Sequence, residues 1–131
     1  MTERPLSPHL SVYRMSRYTL LTSITNRATG LVLSAGLILL VYWLVAVASG
    51  ASAYRGARHV LSLDVLKAVY VILLAVFSYH LFAGIRHLIW DTGAGLERAQ
   101  AKRSAAVLAV LSILLFVGLA WWALHAGGRA P

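Results

Sequence analysis

The chain has 131 residues, of which 60% are hydrophobic and only 12% are charged. A water-soluble domain carries about 25% charged residues, so this composition excludes an ordinary soluble domain and favours a membrane protein of one domain. The net charge of +8 is spread between apolar blocks, which favours membrane lipid and a partner's acidic surface as contacts and argues against nucleic acid. Because cysteine is absent, the chain supplies no disulfide and no thiolate ligand for an iron–sulfur cluster.

Three apolar blocks follow one another along the chain. They are 22, 18 and 21 residues long, contain no Asp, Glu, Lys or Arg, and cover residues 28–49, 68–85 and 104–124. A hydrocarbon core about 30 Å thick needs roughly 20 helical residues, and a backbone in lipid has to satisfy its own hydrogen bonds. The sequence therefore predicts an all-α integral membrane protein with three transmembrane helices.

The predicted domain covers residues 1–131 as a single membrane anchor. Its N-terminal segment, residues 1–22, is not expected to be a span, because its prolines oppose a regular helix near the start; the segment is assigned to the cytoplasmic side. The predicted spans follow at about 23–49, 64–90 and 104–125.

The basic residues predict the orientation of the spans. Eight lie in the N-terminal segment and around the second connection, whereas four lie in the first connection and at the C-terminus. Since Lys and Arg are enriched in cytoplasmic loops, we expect a cytoplasmic N-terminus and a periplasmic C-terminus. Residues 1–5 resemble neither a secretory signal nor a transit peptide, which favours a bacterial inner membrane protein over a processed mitochondrial one.

Capping and packing signals lie at the ends of the predicted spans. Residues 50–63 are rich in Gly, Ala and Ser and are interpreted as a connection, after which Ser62 or Asp64 is available as a helix N-cap. Gly93 suits a left-handed cap at the end of the second span. Two glycines of the first span would permit close helix packing: Gly30 and Gly36.

His80 is the one histidine predicted to lie deep in a span. It precedes Asp91, at the cytoplasmic end of the second span, by 11 residues, which corresponds to a depth of roughly 16 Å. A neutral imidazole at this depth could bind haem iron, hydrogen-bond a neighbouring helix or carry protons, and spacing alone leaves all three open. Gly84 shares its helical face and would leave room for a flat macrocycle. The second ligand of a six-coordinate haem would have to come from another chain.

A second group of polar residues lies at the cytoplasmic membrane boundary. Ser23 and Arg27 are four residues apart on one helical face, and the permanently charged guanidinium suits a quinone oxygen or a haem propionate. Anchoring of Arg27 to lipid headgroups is the alternative. Arg86 and His87 are interpreted as propionate partners or as ordinary interfacial residues. Asp91 is interpreted as a cap, an ion-pair partner of Arg86 or Arg98, or part of a proton path.

Three stretches also carry a resemblance. Residues 80–93 read HLFAGIRHLIWDTG, and residues 4–10 and 23–30 read RPLSPHL and SITNRATG. They resemble the haem-ligand signature and the N-terminal signature of the cytochrome b subunits of succinate dehydrogenase, in the same order and with the same three-span plan. There is one departure: the family usually has His immediately before the Arg of its second N-terminal motif, and this chain has Asn26 there.

The resemblance implies a membrane-anchor subunit of a succinate:quinone oxidoreductase that does not itself oxidise succinate. His80 would be one axial ligand of haem b. Ser23 and Arg27 would line the ubiquinone site, with Arg27 also close to a haem propionate, and Asp91 would assist quinone protonation. The implied partners are a second three-span anchor subunit that shares the haem, an iron–sulfur subunit, and a flavoprotein subunit that holds FAD.

Two alternatives remain beside this reading. One is a cytochrome that binds its haems wholly within one chain, which would require a second deep histidine on another span. The other is a protein without redox function, such as a small transporter or scaffold.

Overall fold

A computed structural model describes residues 17–126, with side chains from residue 20 to residue 125. All regular secondary structure in this part of the chain is α-helical, with no strand. The helices are α1 Arg17–Ala48, α2 Ala51–Leu61, α3 Asp64–Asp91 and α4 Arg98–Ala126. Three of them contain stretches long and apolar enough to cross a membrane: Leu20–Ala48, Asp64–Asp91 and Arg98–His125. The predicted all-α architecture with three membrane-spanning helices is confirmed.

The helix bounds do not by themselves show which residues lie in the membrane or on which side the N-terminal segment lies. Helix α1 begins at Arg17, inside the segment predicted to precede the first span. The motif at residues 4–10 and the prolines within it lie outside the described residues. The membrane boundaries and the orientation therefore stay predictions.

Helix α3 is the central element and packs against both α1 and α4. The residues buried at these contacts have mostly small side chains, such as Ser78 and Ala83, which are 0% and 1% exposed. The Ser78 hydroxyl donates to the carbonyl oxygen of Leu74 at 2.8 Å, so its burial leaves no unpaired polar group. Small residues allow membrane helices to approach closely without a large apolar core.

Most large apolar side chains of the three long helices face outward. Leu31, Leu88 and Trp122 are examples, with exposed fractions of 75%, 68% and 64%. An apolar surface of this extent is unfavourable in water but suits lipid tails or the helices of a neighbouring membrane subunit. The fold therefore presents its hydrophobic residues to its surroundings rather than to its own interior.

Residues 51–61, predicted as a connection, form helix α2 instead. Alanine is abundant in this segment and is the residue with the highest helix propensity. Ala57 is buried at 2% exposure and α2 packs against α1, whereas Arg55 and Arg58 are exposed. With 11 residues, α2 is too short to cross a bilayer. It is a short amphipathic helix that connects the first two long ones.

The predicted N-caps of the second span are not formed. Ser62 follows α2 as its C-cap, and its hydroxyl donates to the carbonyl oxygen of His59 at 2.9 Å. The residue before α3 is Leu63, which has no side chain that can cap. Asp64 is the first residue of α3 and pairs instead with Lys67 at 2.7 Å, an exposed ion pair along the helix surface.

Two glycine predictions are confirmed. Gly93 follows the end of α3 with φ +82°, the left-handed conformation that a glycine adopts without strain. At Gly36, a Cβ atom would lie 2.6 Å from Cδ2 of Leu73, so α1 and α3 approach each other where α1 has no side chain. This close approach sets the spacing of the helix pair that carries the candidate site.

Candidate functional site

His80 projects from α3 onto α1. Its Nδ1 lies 3.0 Å from Oγ1 of Thr29, whose side chain is buried. A Cβ atom added to Gly30 would lie 3.2 Å from Cε1 of His80, so the imidazole packs against the α1 backbone where a glycine leaves room. A hydrogen bond to a neighbouring helix was one of the roles that the sequence left open for His80, but its partner, Thr29, was not predicted.

A groove between α1 and α3 begins at His80. It has a volume of about 700 Å³, within the range of about 300–1,000 Å³ that is typical of cofactor and ligand sites. The groove extends from the Gly30–His80 end to the Leu40–Tyr70 end, and its walls are largely aliphatic or aromatic. Gly84 is not among its walls, although an added Cβ there would meet nothing within 4 Å. The groove therefore runs from His80 away from Gly84, opposite to the direction that the sequence suggested.

The donor set of this groove fits a haem. No group of three or more His, Asp or Glu residues that could hold a metal ion occurs in the described part of the chain, residues 17–126. A metal bound at His80 therefore needs further ligands from another molecule. A porphyrin supplies the equatorial nitrogens of its own iron, and one imidazole is enough on one axial side. The apolar walls suit the apolar faces of such a macrocycle.

Arg86 is buried at 5% exposure and joins three helices. Its Nε donates to Oγ of Ser104 at 2.9 Å, its Nη1 donates to Oγ1 of Thr22 at 3.0 Å, and its Nη2 donates to the carbonyl oxygen of Ala101 at 3.0 Å. The guanidinium also lies 3.9 Å from the centre of the Trp90 ring. Because its nitrogens are all engaged within the chain, this geometry favours a structural role for Arg86 over a propionate role.

Ser23 and Arg27 occupy the same face of α1, nearer its N-terminus than Thr29. Arg27 is exposed and Ser23 is half-buried, and no hydrogen bond or ion pair joins either side chain to another residue between 20 and 125. At 1.5 Å per residue, Arg27 and Ser23 lie about 3 Å and 9 Å along the helix axis from Thr29. The structure thus brings the predicted quinone residues close to the level of His80.

His87 and Asp91 lie beyond Arg86 toward the end of α3. The Nδ1 of His87 is 2.8 Å from the carbonyl oxygen of Ala83, and its ring centre is 5.4 Å from that of Trp90. Asp91 is exposed at the last position of the helix. The ion pair suggested for Asp91, with Arg86 or with Arg98, is not formed among the described residues. Arg86 donates to other groups instead.

Asn26, the position where the chain departs from the family signature, has an unusual environment. Its side-chain Oδ1 is buried and has no hydrogen-bond partner among the side chains that the structure describes. Its backbone carbonyl oxygen accepts a hydrogen bond from Oγ1 of Thr29 at 2.9 Å. A buried amide oxygen without a donor costs on the order of 1–3 kcal/mol, so a donor from a bound molecule or a partner would fit this position.

Comparison of the sequence with known proteins identifies a family for this chain. The family model described as "Succinate dehydrogenase/Fumarate reductase transmembrane subunit" matches residues 1–119. The succinate dehydrogenase cytochrome b556 subunit of Paracoccus denitrificans is 41% identical over 120 residues, which cover 86% of this chain and 92% of the relative. The mitochondrial cytochrome b560 subunit of Homo sapiens is 36% identical over 121 residues, covering 91% and 71%.

A bacterial relative of similar length gives the same result. The succinate dehydrogenase cytochrome b556 subunit of Rickettsia felis is 34% identical over 114 residues, which cover 86% of this chain and 87% of the relative. These relatives are all named as subunits of succinate dehydrogenase, an enzyme complex.

Proposed function

This chain belongs to the family of succinate dehydrogenase/fumarate reductase transmembrane subunits, and from that premise we propose that it is the haem-binding anchor of a succinate:quinone oxidoreductase. Its expected location is a bacterial inner membrane, with the N-terminus cytoplasmic and the C-terminus periplasmic. The observation that carries the proposal is His80, held against Thr29 and Gly30 at one end of an apolar groove.

The haem would lie along this groove with His80 as one axial ligand. Haem b supplies a one-electron carrier within the membrane. Gly30 leaves space for the imidazole, and the aliphatic walls of the groove keep water away from it. The second axial ligand would come from a second three-span anchor subunit, whose helices would also cover the exposed apolar faces of α1 and α3.

The quinone site would be formed at the N-terminal end of α1. The Arg27 guanidinium is exposed and donates to no residue between 20 and 125, so it suits a carbonyl oxygen of ubiquinone and would stabilise the negative charge that develops when the headgroup is reduced. Ser23, four residues earlier, would donate its hydroxyl to the same headgroup or orient it. Asp91 is exposed at the corresponding end of α3 and would help to supply protons.

The proposed partners are those that the family resemblance implies. A flavoprotein subunit with FAD would oxidise succinate, and an iron–sulfur subunit would pass the electrons to the quinone. The basic start of α4, with Arg98, Lys102 and Arg103, lies at the same end of the bundle as Arg86 and Asp91. Its positive charge suits the acidic surface of a docked soluble subunit.

A reduced-minus-oxidised visible spectrum of the purified complex tests the proposal. The native complex should show b-type bands, His80→Ala should lose or alter them, and His125→Ala should keep them, because His125 is exposed and stacks on Trp121. Flavin and iron–sulfur content measured on the same samples reports assembly. A colourless native anchor would reject the function, and an unchanged His80→Ala spectrum would reject His80 as the ligand.

A further inference from the structure

The hydrogen bonds around Thr29 determine which nitrogen of His80 carries a proton. Oγ1 of Thr29 lies 2.9 Å from the carbonyl oxygen of Asn26 and 3.0 Å from Nδ1 of His80. A carbonyl oxygen can only accept, and a hydroxyl has a single proton to donate. Both contacts are hydrogen bonds only if Thr29 donates to Asn26 and accepts from His80. Nδ1 then carries the proton, and Nε2 retains its lone pair.

The remaining surroundings of the imidazole agree with this tautomer. Nε2 has no hydrogen-bond partner between residues 20 and 125, and the ring lines the apolar groove. Gly30 restricts the ring from the α1 side, since even a Cβ there would come within 3.2 Å of Cε1. The imidazole is thus held by one hydrogen bond and one backbone contact, with a nitrogen lone pair available for a metal.

We propose that Thr29 is the positioning residue of the haem ligand, an inference that rests on the haem site proposed above. Its hydroxyl donates to the Asn26 carbonyl oxygen and accepts from Nδ1 of His80. These bonds fix the ring orientation and present Nε2 to iron. A metal-bound imidazole that donates its other N–H to an acceptor becomes a stronger base. A stronger base stabilises ferric over ferrous iron, so Thr29 lowers the reduction potential of the haem.

The test compares variants of Thr29 in the assembled complex. Thr29→Val replaces the hydroxyl by a methyl group of similar volume, and Thr29→Ser keeps the hydroxyl. Ser112→Ala is the matched control, because Ser112 is also buried and donates to a carbonyl oxygen, that of Leu108 at 2.7 Å, but it lies on α4 away from the groove. Haem content, a potentiometric titration and the electron paramagnetic resonance of the ferric haem are measured for each.

Thr29→Val should keep the haem but shift the ferric–ferrous equilibrium toward ferrous by about threefold or more. At 59 mV per tenfold change, this is a rise of about 30 mV in potential. Its ferric resonance should change with the weaker ligand field, whereas Thr29→Ser and Ser112→Ala should match the native protein.

Three results would overturn the inference. One is a Thr29→Val complex with full haem and the native potential and resonance. Another is an equal shift in Ser112→Ala. The third is failure of both Thr29→Val and Thr29→Ala to assemble while Thr29→Ser assembles, which would make the hydroxyl a requirement of folding alone. Absence of haem from the native complex is a separate result, which rejects the haem proposal itself.

Discussion

Arg86 on α3 donates a hydrogen bond from Nη1 to the hydroxyl of Thr22 on α1, at 3.0 Å and across 64 positions of sequence. The backbone carbonyl of Thr22 accepts a second bond from the Tyr79 hydroxyl at 3.3 Å. Both bonds hold the N-terminal part of α1 against α3. The next residue along α1 is Ser23, so Arg86 helps to position the part of α1 that carries the candidate quinone residues.

Replacing Arg86 should destabilise the subunit more than replacing another arginine. Arg86→Ala removes three hydrogen bonds donated by a buried guanidinium, for a loss on the order of 3 kcal/mol in the free energy of unfolding. Arg58→Ala, at an exposed position of α2, should change it by less than about 0.5 kcal/mol. Denaturant unfolding of the complex in detergent measures both, and similar small losses would contradict the cross-linking role of Arg86.

Replacing Arg27 should impair quinone reduction and leave succinate oxidation intact. Loss of a charged hydrogen bond of about 1.5–3 kcal/mol predicts a fall of roughly 10- to 100-fold in quinone reductase activity for Arg27→Ala. Arg27→Lys keeps the charge, so its quinone reductase activity should lie between those of the native protein and Arg27→Ala. Succinate oxidation by an artificial dye, assayed on the same preparation, should be unchanged. If both activities fell together, the variant would be misassembled and the quinone role would lack support.

Filling the space at Gly36 should separate α1 from α3. A Cβ atom added there would lie 2.6 Å from Cδ2 of Leu73, so Gly36→Val should cost about 1–3 kcal/mol of stability through overpacking and should lower the haem content. Gly118→Val is the matched control on α4, where an added Cβ meets nothing within 4 Å. Haem per flavin and the midpoint of thermal unfolding check the prediction, and a Gly36→Val complex with native values of both would refute it.

The predicted orientation can be measured by cysteine labelling, because the chain has no cysteine of its own. Ser52→Cys at the start of α2 should react with a membrane-impermeant maleimide in spheroplasts. Ala94→Cys between α3 and α4 should react only in inverted membrane vesicles. Both positions are exposed in this chain. The reverse pattern would place the N-terminus in the periplasm.

The sequence predicted the features that depend on composition and local spacing. The long helices follow from apolar length, and the cap at Gly93 follows from backbone freedom. The depth of His80 in the membrane, which was derived from helical rise, stays a prediction. Helix α2 was missed because its Gly, Ala and Ser content was interpreted as typical of a connection, and the burial of Ala57 against α1 depends on tertiary packing. A pattern of apolar residues three and four apart in residues 51–61 was the available signal.

The contacts between helices could not be predicted in the same way. The bond between Thr29 and His80 and the bond between Thr22 and Arg86 join residues 51 and 64 positions apart. Both depend on how α1 and α3 are rotated and offset. Neither helix has a one-sided polar pattern that would specify that rotation, because most of their surface is apolar. The sequence therefore left the role of Arg86 open, whereas the geometry favours a structural role.

Arg86 joins partners that lie at very different distances along the chain. Its bonds to Ala101 and Ser104 span 15 and 18 positions, within the hairpin of α3 and α4, whereas its bond to Thr22 spans 64 positions. The same guanidinium therefore ties the position of α1 to that of the hairpin. A sliding movement of α1 along α3 would have to break a bond at the residue that also holds α4.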